Sequence, residues 1–140
     1  MITCTRRFQF CAGHRVHRHE SKCRNLHGHN YVLFVTVTAP ELDSLGRVID
    51  FSIIKGLVGD WIDSKWDHGF ILYQHDNDAI KTISAIDKQK LYLLPTNPTA
   101  ENMAGHLLHR VCPLLFADSE VEVTHIKLWE TENCYAEVSL

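Results

Sequence analysis

The chain of 140 residues has no C-x-x-C pair, no internal repeat, no low-complexity tract and no linker-like stretch. Its five cysteines, Cys4, Cys11, Cys23, Cys112 and Cys134, are odd in number and widely spread. That pattern excludes a disulfide framework and a four-cysteine zinc knot, and it suits a reducing compartment. No apolar run approaches the ~18 residues of a membrane helix, and MITCTRRFQF lacks an uninterrupted apolar core of signal-peptide length. The expectation is a cytoplasmic protein with no membrane partner. Fourteen basic against seventeen acidic residues, without a long basic block, leave no stripe to follow a phosphate backbone. Nucleic acid is not an expected partner.

What the chain does contain is an ordinary globular composition, 45% hydrophobic and 22% charged, long enough to bury roughly two-thirds of its unfolded surface as one domain, residues 1–140. YVLFVTVT, residues Tyr31 to Thr38, is aromatic and β-branched and reads as a strand covered on both faces, with an opening strand around Ile2 to Phe10 to pair with it. Between Ser52 and Trp66, Ile53, Ile54, Leu57, Val58, Trp61 and Ile62 recur at helical spacing. A second helix follows Asn97-Pro98-Thr99, with Met103, Ala104, Leu107, Leu108, Val111, Leu114 and Leu115 on its buried side. Val121 to Glu130 and Cys134 to Leu140 read as a hairpin turning near Glu132-Asn133. The order predicts an α+β domain, two helices laid on one face of a four-stranded antiparallel sheet. Tyr73 to Leu94 reads as a long loop with some strand or helix of its own.

Five of the ten histidines fall between His14 and Tyr31, in HRVHRHESKCRNLHGHNY. His27 and His29 enter a strand two residues apart, so both imidazoles project from one face. His14, at the end of the first strand, completes a three-nitrogen set if the two strands pair. Three neutral imidazoles with an open fourth position is the arrangement of catalytic zinc. Single histidines in a polar loop are ordinary surface residues; H-x-H on a strand beside a third candidate favours ligands.

Cys23 has two readings: a fourth ligand closing a structural Cys-His₃ site, or a free thiol, since a cation beside a thiol raises its thiolate fraction. Asp67-His68, after the first helix, is a carboxylate beside an imidazole whose tautomer it can fix, although adjacency alone does not establish contact. Cys4 and Cys112 read as small core residues. His106 and His109, three apart, read as the polar side of the second helix.

Six segments in order resemble the 6-pyruvoyl-tetrahydropterin synthase and 6-carboxy-tetrahydropterin synthase family. FQFCAGHRVH is similar to its F-x-A-x-H opening, CRNLHGHNY to its cysteine followed by H-G-H-N/S-Y, and GRVIDFSIIK to its G-x-V-x-D-F element. WDHGFIL is similar to its L/W-D-H-x-x-L, NPTAEN to its N-P-T-x-E and LWETENCYAEV to its closing E-T segment. The resemblance implies Zn²⁺ held by His14, His27 and His29, Cys23 as catalytic base, and His68 assisted by Asp67. It implies Glu130 as pterin anchor and part of the proton relay, and Thr99 and Glu101 as residues completing a neighbour's pocket. It further implies a tunnelling fold whose sheets join between identical subunits into a barrel, commonly a dimer of trimers.

Three residues, Arg24-Asn25-Leu26, separate Cys23 from His27, which resembles the carboxy-forming (QueD) branch of queuosine-precursor (7-deazaguanine) synthesis. That branch implies a zinc-dependent lyase converting dihydroneopterin triphosphate to 6-carboxy-tetrahydropterin with loss of acetaldehyde and triphosphate. The pyruvoyl-forming enzyme and a non-catalytic zinc or pterin module are the alternatives. Arg15, Arg18, Lys22 and Arg24 are the cations nearest for a triphosphate. Cys11 and Gly13 depart from the family's usual small or aliphatic residues.

Overall fold

A computed structural model describes every residue from Met1 to Leu140. Strands β1 (Thr3–His14) and β2 (His27–Thr38) pair antiparallel from Thr3 opposite Thr38 to His14 opposite His27. Alternation sets their faces: Phe10, Ala12 and His14 of β1 and Tyr31, Leu33, Val35 and Val37 of β2 are buried on one side. Val32, Phe34 and Thr36 are half-buried on the other, so β2 is fully covered on one face only. This departs from the expected strand covered on both faces, because within one chain no element lies over the second side.

The long helical segments supply the cover. Asp50 caps α1 (Phe51–Ile54), its carboxylate accepting from the Ser52 N–H at 2.8 Å. A π-helical turn (Lys55–Gly59) leads into α2 (Asp60–Lys65). Ile54, Val58, Ile62 and Trp66 point inward, each at most 1% exposed, whereas Ile53 faces solvent. The steady four-residue spacing is what a helix widened by a π-turn keeps on one line. Asp76 caps a short helix, α3 (Asn77–Ser84).

Thr99 caps α4 (Ala100–His106), its hydroxyl accepting from the Asn102 N–H at 3.1 Å, with Pro98 immediately before the cap. Another π-turn (Leu107–Val111) and α5 (Cys112–Leu115) follow. Met103, Ala104, Leu107, Leu108, Val111 and Cys112 are buried, while Leu114 is 79% exposed. His106 is not on a polar side: its Nε2 lies 2.7 Å from the Tyr92 hydroxyl and its ring stacks on Trp66, leaving only His109 exposed. No helix is long and apolar enough to cross a membrane.

β5 (Glu122–Thr131) pairs antiparallel with β2 and β6 (Cys134–Ser139) with β5, the hairpin turning at Glu132-Asn133. The sheet has six strands rather than four. Tyr73 to Leu94 contains α3 and β4 (Leu91–Leu94), which pairs parallel with β3 (Gly69–Tyr73), itself parallel to β1 at Ala12 to His14. The order is β4-β3-β1-β2-β5-β6, an otherwise antiparallel sheet extended by a small parallel unit around Leu72, Ala79 and Ile83. One core of 24 buried residues joins the sheet's inner face to both long helices.

Candidate metal centre and its surroundings

The pairing of β1 with β2 brings the three expected imidazoles together. His14 lies directly opposite His27, and Ala12 opposite His29. One ligand atom from each of His14, His27 and His29 lies within 4.8 Å of the others. The ring centroids stand 4.7, 5.1 and 4.9 Å apart, close to an equilateral triangle. Gly28 holds the two β2 histidines close to β1: a Cβ there would come within 3.1 Å of the Ala12 carbonyl.

Backbone carbonyls set the tautomers. His14 Nδ1–H donates to the Pro98 carbonyl at 2.7 Å, and His27 Nδ1–H to the Asn25 carbonyl at 2.7 Å. Each ring then presents an unprotonated Nε2, the form a metal requires. Nε2 of His14 and of His29 are buried without any hydrogen-bond partner. Orphaned acceptors are costly, of order 1–3 kcal/mol each, and a cation shared among three lone pairs removes that cost. Burial pushes the His14 imidazole down to about 4, against the Pro98 hydrogen bond and reinforced by His27 and His29. It also lowers His29, with Glu130 pulling the other way. The donor set therefore fits a divalent ion of the zinc type: three neutral nitrogens and room for further ligands.

Glu130, near the end of β5, brings its carboxylate to the same cluster, Oε1 at 3.6 Å from His29 Nε2 and Oε2 at 4.0 Å from His14 Nε2. Tyr31 lies beneath, its hydroxyl 3.3 Å from His14 Nδ1 and its ionisation raised by burial and by Glu130.

Cys23 is not one of the converging donors. It sits half-buried and free in the 3-10 turn Lys22–Arg24 of the loop between β1 and β2, its carbonyl accepting from the Val16 N–H at 2.8 Å.

Asp67 and His68 do contact each other, Oδ2 to Nδ1 at 2.9 Å. They lie along the other side of the sheet. Asp67 Oδ1 accepts from the Cys11 N–H at 2.9 Å, and His68 N–H donates to the Cys11 carbonyl at 2.7 Å. Burial alone would raise the Asp67 carboxyl, but the Cys11 N–H, the His68 ring and Lys90 outweigh it and hold it below its usual range. Lys90 also closes the end of α2, donating to the Asp63 and Asp67 carbonyls. His68, 78% exposed at its side chain, lines a cavity of about 400 Å³ with Cys11, Gly13, Gly28, Asn30 and Phe70, and His27 and His29 border the same cavity. Strand alternation puts Gly13 and Gly28 opposite to the imidazole face, and Phe70 packs so closely over Gly13 that a Cβ there would meet its ring. His68 has φ of 60°, a left-handed conformation that costs a residue with a Cβ about 1 kcal/mol.

Thr99 is used as the α4 cap, and Glu101 is exposed in the first turn. Arg15 is not free for a phosphate: its guanidinium forms a two-pronged pair with the buried Asp76. Arg18, Lys22 and Arg24 are exposed. Sequence reasoning missed the Pro98 and Asn25 carbonyls and the Asn97 side chain, which accepts from His17 N–H at 2.8 Å and donates to His17 O at 3.1 Å. Backbone acceptors leave no residue-type signal, and only the N-P-T pattern marked that segment.

The 6-pyruvoyl tetrahydropterin synthase family model matches residues 3–140. A curated 6-carboxy-5,6,7,8-tetrahydropterin synthase of Rickettsia typhi is 51% identical over 138 residues, 99% of this chain and 100% of that protein. One of the same description from Haemophilus influenzae is 32% identical over 143 residues, with 98% of both chains covered. Among solved structures, the Caenorhabditis elegans 6-pyruvoyl tetrahydropterin synthase superposes with a TM-score of 0.70 at 23% identity, covering 99% of this chain and 95% of that one, and shares the fold. The chain belongs to the 6-pyruvoyl tetrahydropterin synthase family.

Proposed function

We propose that the protein is a zinc-dependent 6-carboxy-5,6,7,8-tetrahydropterin synthase. It converts 7,8-dihydroneopterin triphosphate to 6-carboxy-tetrahydropterin, releasing acetaldehyde and triphosphate, at the stage where 7-deazaguanine (queuosine) precursors are made. The observation that carries this reading is the convergence of His14, His27 and His29, with the Nε2 atoms of His14 and His29 buried and unpartnered. The carboxy branch is supported by the Cys23-x-x-x-His27 spacing and by full-length relatives of that description.

Each residue then has a task. Glu130 accepts the ring N–H and exocyclic amino group of the pterin in a two-pronged way, which fixes the substrate's orientation. Zinc, held by His14, His27 and His29, supplies the charge that polarises the substrate's side-chain hydroxyls and makes the neighbouring C–H bonds easier to deprotonate. Cys23, as thiolate, removes and returns those protons. His68, oriented by Asp67, exchanges protons during the rearrangement that precedes carbon–carbon cleavage.

The Asp67–His68 pair lies across the sheet from its own chain's imidazoles, so the reading requires it to serve a neighbour. The apolar strip Val32, Phe34 and Trp129, half-exposed in the single chain, supports the same assembly. The protein is therefore a homo-oligomer, of the dimer-of-trimers type, whose sheets close into a barrel. Exposed Glu101, beside Thr99 at the start of α4, completes a pocket of another copy. The partners are this small molecule and copies of the chain itself, in the cytoplasm, without nucleic acid or membrane.

The test is product identity. Zinc-loaded protein incubated with 7,8-dihydroneopterin triphosphate should yield the carboxy product and acetaldehyde by mass spectrometry. A pyruvoyl product without acetaldehyde assigns the chain to the other branch, and untouched substrate removes both.

A further inference from the structure

We propose that Asp76, the cap of α3, is a positioning residue for Cys23: it anchors the loop between β1 and β2 so that the thiol keeps a fixed place relative to the three imidazoles. The inference rests on the reading of Cys23 as catalytic base and names what holds that base still.

The sheet secures His14 and releases the chain straight afterwards. His14 is paired with His27 on one side and with Ile71 on the other, whereas residues 15–26 belong to no strand. Within this loop the turn carrying Cys23 hangs on Val16, whose N–H donates to the Cys23 carbonyl at 2.8 Å. Cys23 is therefore placed only as firmly as Val16 is.

Both neighbours of Val16 are fastened to Asp76. The Arg15 guanidinium donates to both carboxylate oxygens, its Nε at 2.7 Å from Oδ2, and His17 Nδ1 stands 3.5 Å from Oδ1. The two-pronged guanidinium contact fixes direction as well as distance. Asn97 holds the His17 backbone from another side.

Burial makes this anchor stiff. Asp76 is 0% exposed, and outside the loop its carboxylate is met only by the Ala79 N–H at 3.4 Å. A carboxylate taken out of water is strongly destabilising unless it is paired. Movement of the loop would strand that charge, so the resistance to movement comes from Asp76 more than from the loop's few backbone bonds. A general base works only within hydrogen-bond reach of the proton it takes, which makes the fixed placement a requirement of turnover.

The test compares full-length, zinc-loaded wild type, Asp76→Asn and Arg15→Lys, each shown to be folded by circular dichroism. Turnover of 7,8-dihydroneopterin triphosphate and zinc content are measured, and alkylation of Cys23 and Cys112 by iodoacetamide is followed by peptide mass mapping. Cys112, 2% exposed in the core, reacts only through global unfolding and serves as the internal reference. Asp76→Asn is expected to lower kcat by about 10²-fold, the scale of a misplacement of about 1 Å. Arg15→Lys keeps the charge without the fork and should lose about tenfold. KM and zinc content should stay within about twofold of wild type in both. Cys23 should be alkylated roughly tenfold faster in Asp76→Asn, with Cys112 far behind it.

Three results overturn the proposal: kcat within about twofold of wild type, a loss confined to KM, or Cys23 and Cys112 modified at the same rate. Arg15→Lys decides by the same criteria if Asp76→Asn does not fold. Wild type without turnover, or Cys23→Ala with full turnover, removes the reading of Cys23 as base, and the alkylation rates then still decide whether Asp76 anchors the loop.

Discussion

The Nδ1–H of His14 donates to the carbonyl of Pro98 at 2.7 Å, across 84 positions of sequence. The segment before α4 thereby orients the His14 imidazole on β1, and it is tied to the chain just after that strand a second time through Asn97 and the His17 backbone. Orientation by such an outer contact is typically worth a factor of 10–100 in metal affinity. Asn97→Ala is expected to weaken zinc binding by about tenfold without removing any ligand, measured by chelator competition on folded protein. Affinity equal to wild type would show that the Pro98 contact survives without the clamp.

Cys23 stands outside the converging donors. Cys23→Ala is therefore expected to retain zinc while turnover falls by about 10²–10⁴-fold, the range associated with losing a general base. Zinc content by elemental analysis and product formation are read on one preparation. Loss of metal together with a destabilised fold would mark the site as structural.

His68 keeps a side chain at φ of 60°, where glycine is free of the Cβ clash. His68→Gly should raise unfolding free energy by about 0.5–1 kcal/mol, the relieved strain partly offset by the freer unfolded chain. It should also abolish turnover. Since the Asp67–His68 pair lies across the sheet from its own imidazoles, inactive His68→Gly and inactive Cys23→Ala should regain partial activity when co-refolded as mixed oligomers. Mixed oligomers without activity would put both groups to work within one chain.

Asp76 is buried beneath Arg15. Its carboxyl is held below the ordinary range, by the Arg15 hydrogen bonds first, against burial, with the Ala79 N–H and the charges of Arg15 and His17 adding to it. A depressed carboxyl contributes stability that is present above its unfolded value near 3.8 and is lost as pH falls through the lower folded value. Asp76→Asn should therefore cost about 3 kcal/mol at pH 7, the bottom of the range for a buried pair because Arg15 is a quarter exposed. Acid unfolding curves of the variant and wild type should converge below pH 3.8, and parallel curves down to pH 2 would contradict the assignment.

Much of this molecule was legible before any coordinates. The aromatic and β-branched run YVLFVTVT marks a strand but not that only one of its faces is covered, whereas the four-residue recurrence of Ile54, Val58 and Ile62 reflects burial on one side of a helix, which sequence records directly. His27 and His29 share a face by strand alternation. The segment from Tyr73 to Leu94 reads as a loop with some strand or helix of its own, which α3 and β4 bear out, but their bounds and the parallel pairing are not legible in it. β4 has four residues and a parallel partner, so its hydrogen bonds depend on β3 being in place. Leu114 and Ile53 fit the helical period but face solvent, since periodicity gives a stripe and not its width. His106 looked polar and lies under Trp66, an arrangement set by a tryptophan forty residues earlier.

Residue identity alone determined which groups are present and which neighbours share a face: three imidazoles, a free thiol, an adjacent carboxylate and imidazole, and two amphipathic helices. These follow from side-chain chemistry and from the fixed repeats of strand and helix. Tertiary structure alone decided that His14 meets His27, that Pro98 and Asn25 direct their nitrogens, that Glu130 faces the cluster and that Asp67 and His68 lie across the sheet. Those relations depend on strand register and on backbone carbonyls, which every residue carries and no sequence pattern distinguishes.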